Sequence, residues 1–132
     1  FRVRNGEFDE RATVYWSDPE GDMCILRVAG NRLAPIAKYR SYDDIKIGER
    51  VYTIGSPSGL ENSLAEGLLS GKRTNAGRNY LQTTASISPG SSGGGLFDAE
   101  GHLIGITTFQ FEGNNLFFAI PIDSFLIPMS KN

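Results

Sequence analysis

The chain of 132 residues has very little of what builds disulfides and metal centres. It contains one cysteine, Cys24, and one histidine, His102, so we expect neither an internal disulfide nor a metal site made of these residues. Cys24 stands in the apolar run Met23-Cys24-Ile25-Leu26, which predicts a small buried side chain. No cofactor is predicted.

Strong charge of one sign and long apolar runs are also missing. The formal net charge is −2, which gives no electrostatic footprint for nucleic acid or an anionic membrane. Lys72, Arg73 and Arg78 are close in sequence, but a solvated hairpin tip explains them at least as well as a binding patch does. No apolar run approaches the roughly 18 residues that a membrane-spanning helix needs. We therefore predict no nucleic-acid partner and no membrane span.

Glycine and short β-forming segments are what the chain has in quantity. It contains 16 glycines, which indicates many tight turns. Segments rich in Val, Ile, Tyr, Phe and Thr recur about every ten residues, which is typical of an all-β sandwich or barrel. Strands are expected at 12–17, 22–28, 50–54, 64–72, 79–85, 95–98, 102–109 and 116–120.

Turn-forming residues separate these segments. Asn5-Gly6 predicts a type I′ hairpin, and residues 98–101, Asp-Ala-Glu-Gly, predict a type I turn closed by a left-handed glycine. A further turn is predicted at 113–115. Residues 29–47 show little periodicity and are interpreted as a connector. Asp123, with Ser124, is predicted to cap a short C-terminal helix.

The most informative segment is 87–96, Ile-Ser-Pro-Gly-Ser-Ser-Gly-Gly-Gly-Leu. A serine among glycines exposes its hydroxyl and lets a substrate carbonyl approach closely. If Gly90 has a positive φ, its N–H and that of Ser92 can converge on a developing oxyanion. These are the requirements of acyl transfer by a serine nucleophile. The alternative is a flexible Gly/Ser linker, which Pro89 and the strands on either side of the loop argue against.

Three separated blocks resemble one known family. Residues 89–94, Pro-Gly-Ser-Ser-Gly-Gly, followed by the hairpin 96–106, resemble the nucleophile region of trypsin-like serine endopeptidases of the HtrA (Deg) branch. Residues 54–62 resemble a loop of the same enzymes, and 118–121, Phe-Ala-Ile-Pro, resemble their closing strand. The chain departs from the commonest pattern with Ser91 in place of asparagine and Gly95 in place of proline, and Gly95 is expected to loosen the loop.

The resemblance implies an all-β, chymotrypsin-like fold. On that pattern residues 1–34 are the last strands of a truncated first β-barrel, and 35–47 connect the barrels. Residues 48–132 then form a complete second barrel with the nucleophile loop and the C-terminal helix. The resemblance further implies that the chain is the C-terminal portion of a protease.

The resemblance also implies roles for individual residues. Ser92 maps to the nucleophile, and the N–H groups of Gly90 and Ser92 map to the oxyanion hole, with Ser91 between them. Asp22, directly before an apolar strand, maps to the carboxylate that orients the catalytic histidine. From the residues alone, a plain turn residue is the alternative for Asp22.

The histidine itself is missing from its expected place. Chymotrypsin-like enzymes have the chain order His, Asp, Ser, but no histidine precedes Asp22. His102 follows Ser92 and is expected about 16 Å away at a hairpin tip, too far for proton transfer. We interpret it as an exposed strand-end histidine.

Three explanations remain open. The favoured one is a protease fragment whose histidine lies outside this chain, inactive alone. The second is a non-catalytic, peptide-binding pseudoprotease. The third is an unrelated β-domain with an accidental Gly/Ser loop.

Substrate contacts can also be predicted. Strand 106–109 can pair with an extended peptide, and the resemblance implies this use of the strand, with 117–119 as the wall beside it. A plain sheet edge is the alternative. Ser86 and Ile87 are expected to meet the substrate side chain before the scissile bond. Enzymes of the resembling superfamily that cut after Lys or Arg have an acid at the position of Ser86, so a neutral serine predicts small or medium apolar side chains there. The predicted contacts are Ser86, Ile87, Thr107, Thr108, Phe109, Phe117 and Phe118.

The partners expected for such a protease are peptides or unfolded proteins. The resemblance suggests a homo-oligomer in the complete protein and an extracytoplasmic location, periplasmic or secreted. The sequence itself leaves the compartment open.

Overall fold

A computed structural model describes residues 1–30, 32–55, 63–88, 90–111 and 116–130, with the backbone alone at 109–111. Nearly all regular structure in these ranges is β, as the sequence predicted. The strands are Arg2–Asn5 (β1), Phe8–Asp18 (β2), Met23–Val28 (β3), Arg50–Gly55 (β4), Ser63–Asn75 (β5), Arg78–Thr83 (β6), Gly95–Asp98 (β7), Leu103–Phe111 (β8) and Leu116–Pro121 (β9). A 3₁₀ turn spans Tyr42–Asp44, and helix α1 spans Asp123–Met129.

The strands form two separate antiparallel arrangements. Strands β1, β2 and β3 make a three-stranded sheet in that order, and β4 to β9 close into a barrel in the order β4-β5-β6-β9-β8-β7. The barrel closes through two long-range pairings, β6 with β9 and β4 with β7. This confirms the predicted barrel fold. Among the helices of the described ranges, none is long and apolar enough to cross a membrane.

The core of the barrel follows from the two-residue period of its strands. In β4, Val51 and Thr53 are buried while Tyr52 and Ile54 are more exposed. One residue from each of several strands is wholly buried in the interior: Val51, Leu69, Leu81, Leu96 and Ile104.

The three-stranded sheet packs on the outside of the barrel through a second apolar cluster. Met23 of β3 lies with Leu103 and Ile120 of the barrel and with Phe125 of α1. Trp16 of β2 packs against the same group. The sheet, the barrel and the helix therefore share one interface.

An ion pair adds to this interface. Arg78 Nη1 at the start of β6 lies 2.6 Å from Asp18 Oδ2 at the end of β2. This hydrogen bond holds the pKa of Asp18 below its usual value. The prediction of a solvated tip is therefore wrong for Arg78, because its partner is distant in sequence and reaches it only after folding.

The predicted turns are confirmed only in part. Gly101 has a φ of 85° and donates to Asp98 O at 3.1 Å, which confirms the predicted left-handed closure. In the first hairpin Asn5 pairs with Phe8, and Gly6 takes the positive φ of 60°, whereas Glu7 does not. That pattern fits a type II′ turn rather than the predicted type I′. The turn predicted at 113–115 lies outside the described residues, as do residues 56–62 of the second resemblance block.

Strand β1 and the helix cap depart from prediction. Arg2–Asn5 is mostly polar, so its strand was not predicted, and it forms by pairing with β2.

Helix α1 is present, but its N-cap is Ile122 without a side-chain cap. The Asp123 carboxylate instead accepts from Ser41 Oγ at 2.7 Å and Tyr42 N at 2.9 Å. The carboxylate is therefore bound by the connector and not by the N–H groups at the start of the helix.

A buried carboxylate joins the connector to the barrel. Asp98 is 5% exposed and accepts from the N–H groups of Glu100 and His102 and from Arg40 Nη1 at 3.0 Å. Burial opposes the charge of Asp98, but these hydrogen bonds together hold its pKa below the usual value. Arg40 also binds Glu49 at 2.6 Å, and this hydrogen bond lowers the pKa of Glu49.

We expect Asp98→Asn to lower the free energy of unfolding at about pH 7 by about 3 kcal/mol, because Arg40 then loses a buried ionic partner. A carboxyl with a lowered folded-state pKa stabilises the fold above its ordinary value of 3.8, and this contribution is lost as the pH falls through the folded pKa. Denaturant unfolding at neutral pH and at about pH 2 measures both effects.

The matched control is Asp9→Asn, which removes the carboxylate of the exposed pair Arg2–Asp9. It is expected to change stability by less than about 1 kcal/mol. A deficit for Asp98→Asn that is equal at both pH values would contradict the assignment to its charge.

Candidate active site

The serine loop has a defined backbone. Gly90 and Gly93 have φ values of 91° and 93°, a region that residues with a Cβ rarely adopt. At Gly94 a Cβ would lie 2.3 Å from Ile54 O of β4, so only glycine allows the loop to approach that strand. The glycines on both sides of Ser92 are thus required by the loop geometry.

Backbone hydrogen bonds attach the loop to the barrel. Gly93 N donates to Thr107 O at 2.8 Å, and Thr107 N donates to Gly94 O at 2.9 Å. Within the loop, Gly94 N donates to Ser91 O at 3.1 Å, and Ser91 N donates to Ser88 O at 2.9 Å. The loop continues the β8 pairing and is not a free linker.

Two amides of the loop remain outside this network. In the part of the chain that the structure describes, the N–H groups of Gly90 and Ser92 donate to no backbone carbonyl, although their neighbours do. These are the two amides that the sequence predicted for an oxyanion hole. Their role as oxyanion donors stays a prediction.

Ser92 and Asp22 meet at one residue of β8. Ser92 Oγ donates to Thr108 O at 2.5 Å, and Thr108 Oγ1 donates to Asp22 Oδ2 at 2.5 Å. The predicted nucleophile and the predicted acid are therefore two hydrogen bonds apart, through one threonine. Thr108 was predicted only as a substrate contact, and its bridging position was not predicted.

The turn that carries Asp22 is held in place by the barrel. Asp22 has a left-handed φ of 56° and donates its N–H to Pro19 O at 3.3 Å. The guanidinium of Arg78 passes beside Gly21 to reach Asp18, and a Cβ on Gly21 would lie 2.2 Å from Arg78 Nη1. The close approach of Arg78 thus depends on this glycine.

A cleft of about 520 Å³ lies between the sheet, the barrel and α1. Asp22 and Ser92 both line it, and apolar side chains including Ile25, Ile106 and Phe125 form its walls. The two predicted catalytic groups thus face a common space.

Cys24 also lines this cleft, and its predicted burial is wrong. In β3, Met23 is buried against the barrel, while Cys24, the next residue along the strand, is exposed. Because all four residues from Met23 to Leu26 are apolar, the sequence did not show which of them are buried.

His102 lies elsewhere. Its Nδ1 is 3.0 Å from Asp98 Oδ2 at the turn between β7 and β8, and it does not line the cleft. Only 20% of its side chain is exposed, so the interpretation as an exposed histidine is wrong. The partner Asp98, four residues earlier, was the sequence signal for this contact.

The predicted substrate contacts fall into several environments. Ser86 and Ile87 line a second cavity of about 150 Å³ beside the serine loop. Strand β8 continues to Phe111 beyond its last pairing with β7, at Ile106. The role of these residues in binding stays a prediction.

The remaining predicted contacts are mostly buried. Thr107 and Thr108 are 3% and 4% exposed, and their hydroxyls bond to protein atoms. Phe118 is buried edge-on against Tyr80, Phe117 is half-buried, and the side chain of Phe109 lies outside the described residues.

The chain is similar to known proteins in sequence and in fold. A family model described as the trypsin-like peptidase domain matches residues 2–106. The chain belongs to this family. The resemblance that the three sequence blocks predicted is thereby confirmed.

Named relatives are bacterial. A probable periplasmic serine endoprotease, DegP-like, from Pseudomonas putida (strain GB-1) is 40% identical over 121 residues, which are 86% of this chain and 25% of the relative. A protein of the same description from Hahella chejuensis (strain KCTC 2396) is 37% identical over 128 residues, 91% of this chain and 27% of the relative. The chain thus spans about a quarter of the length of these relatives.

Among solved structures, the HtrA-type protease AlgW with a decapeptide matches with a TM-score of 0.85 and 33% sequence identity. The match covers 93% of this chain and 41% of that chain. The fold is therefore the chymotrypsin-like fold of the HtrA proteases.

We expect Thr108→Val to lower the free energy of unfolding by about 2 kcal/mol, because Asp22 loses a hydrogen bond to its charged carboxylate. Thr108→Ser keeps the hydroxyl and is expected to recover most of this loss. Denaturant unfolding of the three proteins provides the measurement. Equal stability of the valine variant and the wild type would show that the bridge contributes nothing.

Proposed function

We propose that this chain is part of a serine endopeptidase that hydrolyses peptide bonds through an acyl-enzyme. The observation that carries the proposal is the convergence of Ser92 and Asp22 on Thr108 at one cleft. Family membership supports it, since the relatives are named as serine endoproteases.

In this mechanism Ser92 Oγ attacks the carbonyl carbon of the scissile bond while its proton passes to an imidazole. The negative charge on the carbonyl oxygen is stabilised by the N–H groups of Gly90 and Ser92. The intermediate then collapses, and the imidazolium gives its proton to the departing amine. Water, deprotonated by the same imidazole, hydrolyses the acyl-enzyme and regenerates Ser92.

Asp22 orients the imidazole and stabilises its charged form. No histidine of this chain lines the cleft, so the general base comes from residues outside these 132. The cleft between Asp22 and Ser92 offers the space for it, and the relatives are about four times longer than the matched region. The chain alone is accordingly inactive.

The substrate proposed is an extended peptide or an unfolded protein. The structure of AlgW with a decapeptide is a neighbour of this fold, and β8 runs past its last pairing with β7 beside Ser92. Main-chain pairing with this strand would bind peptides with little demand on their sequence.

The second candidate is a peptide-binding pseudoprotease. It is favoured by one observation, namely that the chain's own histidine is engaged with Asp98 away from the cleft. A residue other than histidine at the matching position upstream would support this candidate.

The first test uses the full-length protein that contains this chain. We expect Ser92→Ala to reduce peptide hydrolysis at least about 10⁴-fold, because the acyl-enzyme can no longer form. A fluorophosphonate probe is expected to label the wild-type full-length protein and not the isolated chain, whose serine has no base.

The control is Ser17→Ala, which changes an exposed serine of β2 and should leave hydrolysis unchanged. Peptide binding by the full-length wild type without any turnover would favour the pseudoprotease. Labelling of the isolated chain at the full-length rate would contradict its dependence on an outside base.

A second test concerns the residue before the scissile bond. Peptides with valine there are expected to be cleaved with a kcat/KM at least about 10-fold above that of arginine peptides, because a buried cation would have no acid partner at Ser86. Steady-state kinetics on a matched peptide pair measures the ratio. Comparable values for the two peptides would refute the preference.

A further inference from the structure

Thr107 of β8 forms hydrogen bonds with the loop residues before and after Ser92. Its side chain is 3% exposed, and its Oγ1 lies 2.9 Å from Ser91 O and 3.2 Å from Gly94 O. Its backbone accepts from Gly93 N and donates to Gly94 O. One residue therefore bonds to the loop on both sides of Ser92.

The contact with Ser91 O has a consequence for the next amide. Ser91 C=O and Ser92 N–H belong to one planar trans peptide unit, so they point in opposite directions. Ser91 O accepts from Thr107 Oγ1 and from Gly94 N, which uses both of its lone pairs. With the carbonyl fixed towards Thr107, the N–H of Ser92 is fixed away from it.

We propose that Thr107 is a positioning residue that orients the Ser92 N–H for oxyanion binding. The inference rests on the proposed peptidase function, and it replaces a substrate contact through the Thr107 side chain with a role behind the loop. The hydroxyl is buried and bonded to the loop, so its effect on the reaction passes through the Ser91–Ser92 peptide unit.

Among the described residues, the Thr107 hydroxyl is one of two hydrogen-bond donors to the Ser91 carbonyl. Gly93 and Gly94, which follow this peptide unit, are held by backbone hydrogen bonds but have no side chains to restrict its rotation. Without the Thr107 hydroxyl, Ser91 O keeps only its bond from Gly94 N, at 3.1 Å. Rotation of the peptide unit would remove one of the two proposed oxyanion donors.

The test compares Thr107→Val with Thr107→Ser in the full-length protein. Loss of an oxyanion donor costs about 10²–10³ in kcat, so a partial loss of orientation is expected to lower kcat about 10- to 100-fold. KM should stay within about 2-fold, because the donor acts mainly in the transition state. Affinity for a peptide aldehyde should fall by the same factor as kcat/KM, and the serine variant should stay within about 3-fold of wild type.

Thr83→Val is the matched control. Thr83 is another buried barrel threonine, and its hydroxyl accepts from Ala85 N at 3.0 Å, so the same substitution also removes one hydrogen bond. We expect it to lower thermal stability as Thr107→Val does while leaving kcat unchanged. Wild-type kcat in Thr107→Val, or equal losses of kcat in both valine variants, would overturn the proposal.

Failure of the proposed function has a different signature. In that case the wild-type full-length protein neither hydrolyses peptides nor reacts with a fluorophosphonate. Crystal structures of the two Thr107 variants then decide the inference. A rotated Ser91–Ser92 peptide in the valine variant alone supports it, and an unrotated peptide in both variants overturns it.

Discussion

The hydrogen bonds of Thr108 are the connection on which the candidate site depends. Its carbonyl binds the hydroxyl of Ser92, and its hydroxyl binds the carboxylate of Asp22. The serine comes from a loop of the barrel, while the aspartate comes from a turn of the three-stranded sheet. A single residue of β8 therefore fixes the two units at the point where chemistry is proposed, and small movements of the sheet would separate the two groups.

The rest of the fold limits such movements. The apolar cluster around Met23 and Phe125 joins sheet, barrel and helix, and Arg78 holds the turn that precedes Asp22. At the turn between β7 and β8, Asp98 and Arg40 attach the connector. Each attachment uses a charged or apolar group whose partner is distant in sequence, so the site geometry is a property of the folded tertiary structure.

This distance in sequence explains what could and could not be predicted. The strand periodicity and the glycines around Ser92 are local signals, and they predicted the barrel and the loop. The partners of Arg78 and Asp123 are distant in sequence and depend on tertiary contacts, and both were misjudged. His102 was misjudged although its partner Asp98 lies only four residues earlier, so a local signal was overlooked there. Cys24 was misjudged because an apolar run conceals which face of a strand is buried.

Two threonines in succession within the otherwise apolar strand Ile104-Gly105-Ile106-Thr107-Thr108 were the available signal for the site. Successive residues of a strand point to opposite faces, so one hydroxyl reaches the serine loop and the other reaches Asp22.

The approach of Gly94 to Ile54 O has a practical consequence for protein engineering. In a graft of this loop onto another β-barrel, position 94 would have to stay glycine wherever a host strand comes as close as β4 does here, because a Cβ would collide with the strand backbone.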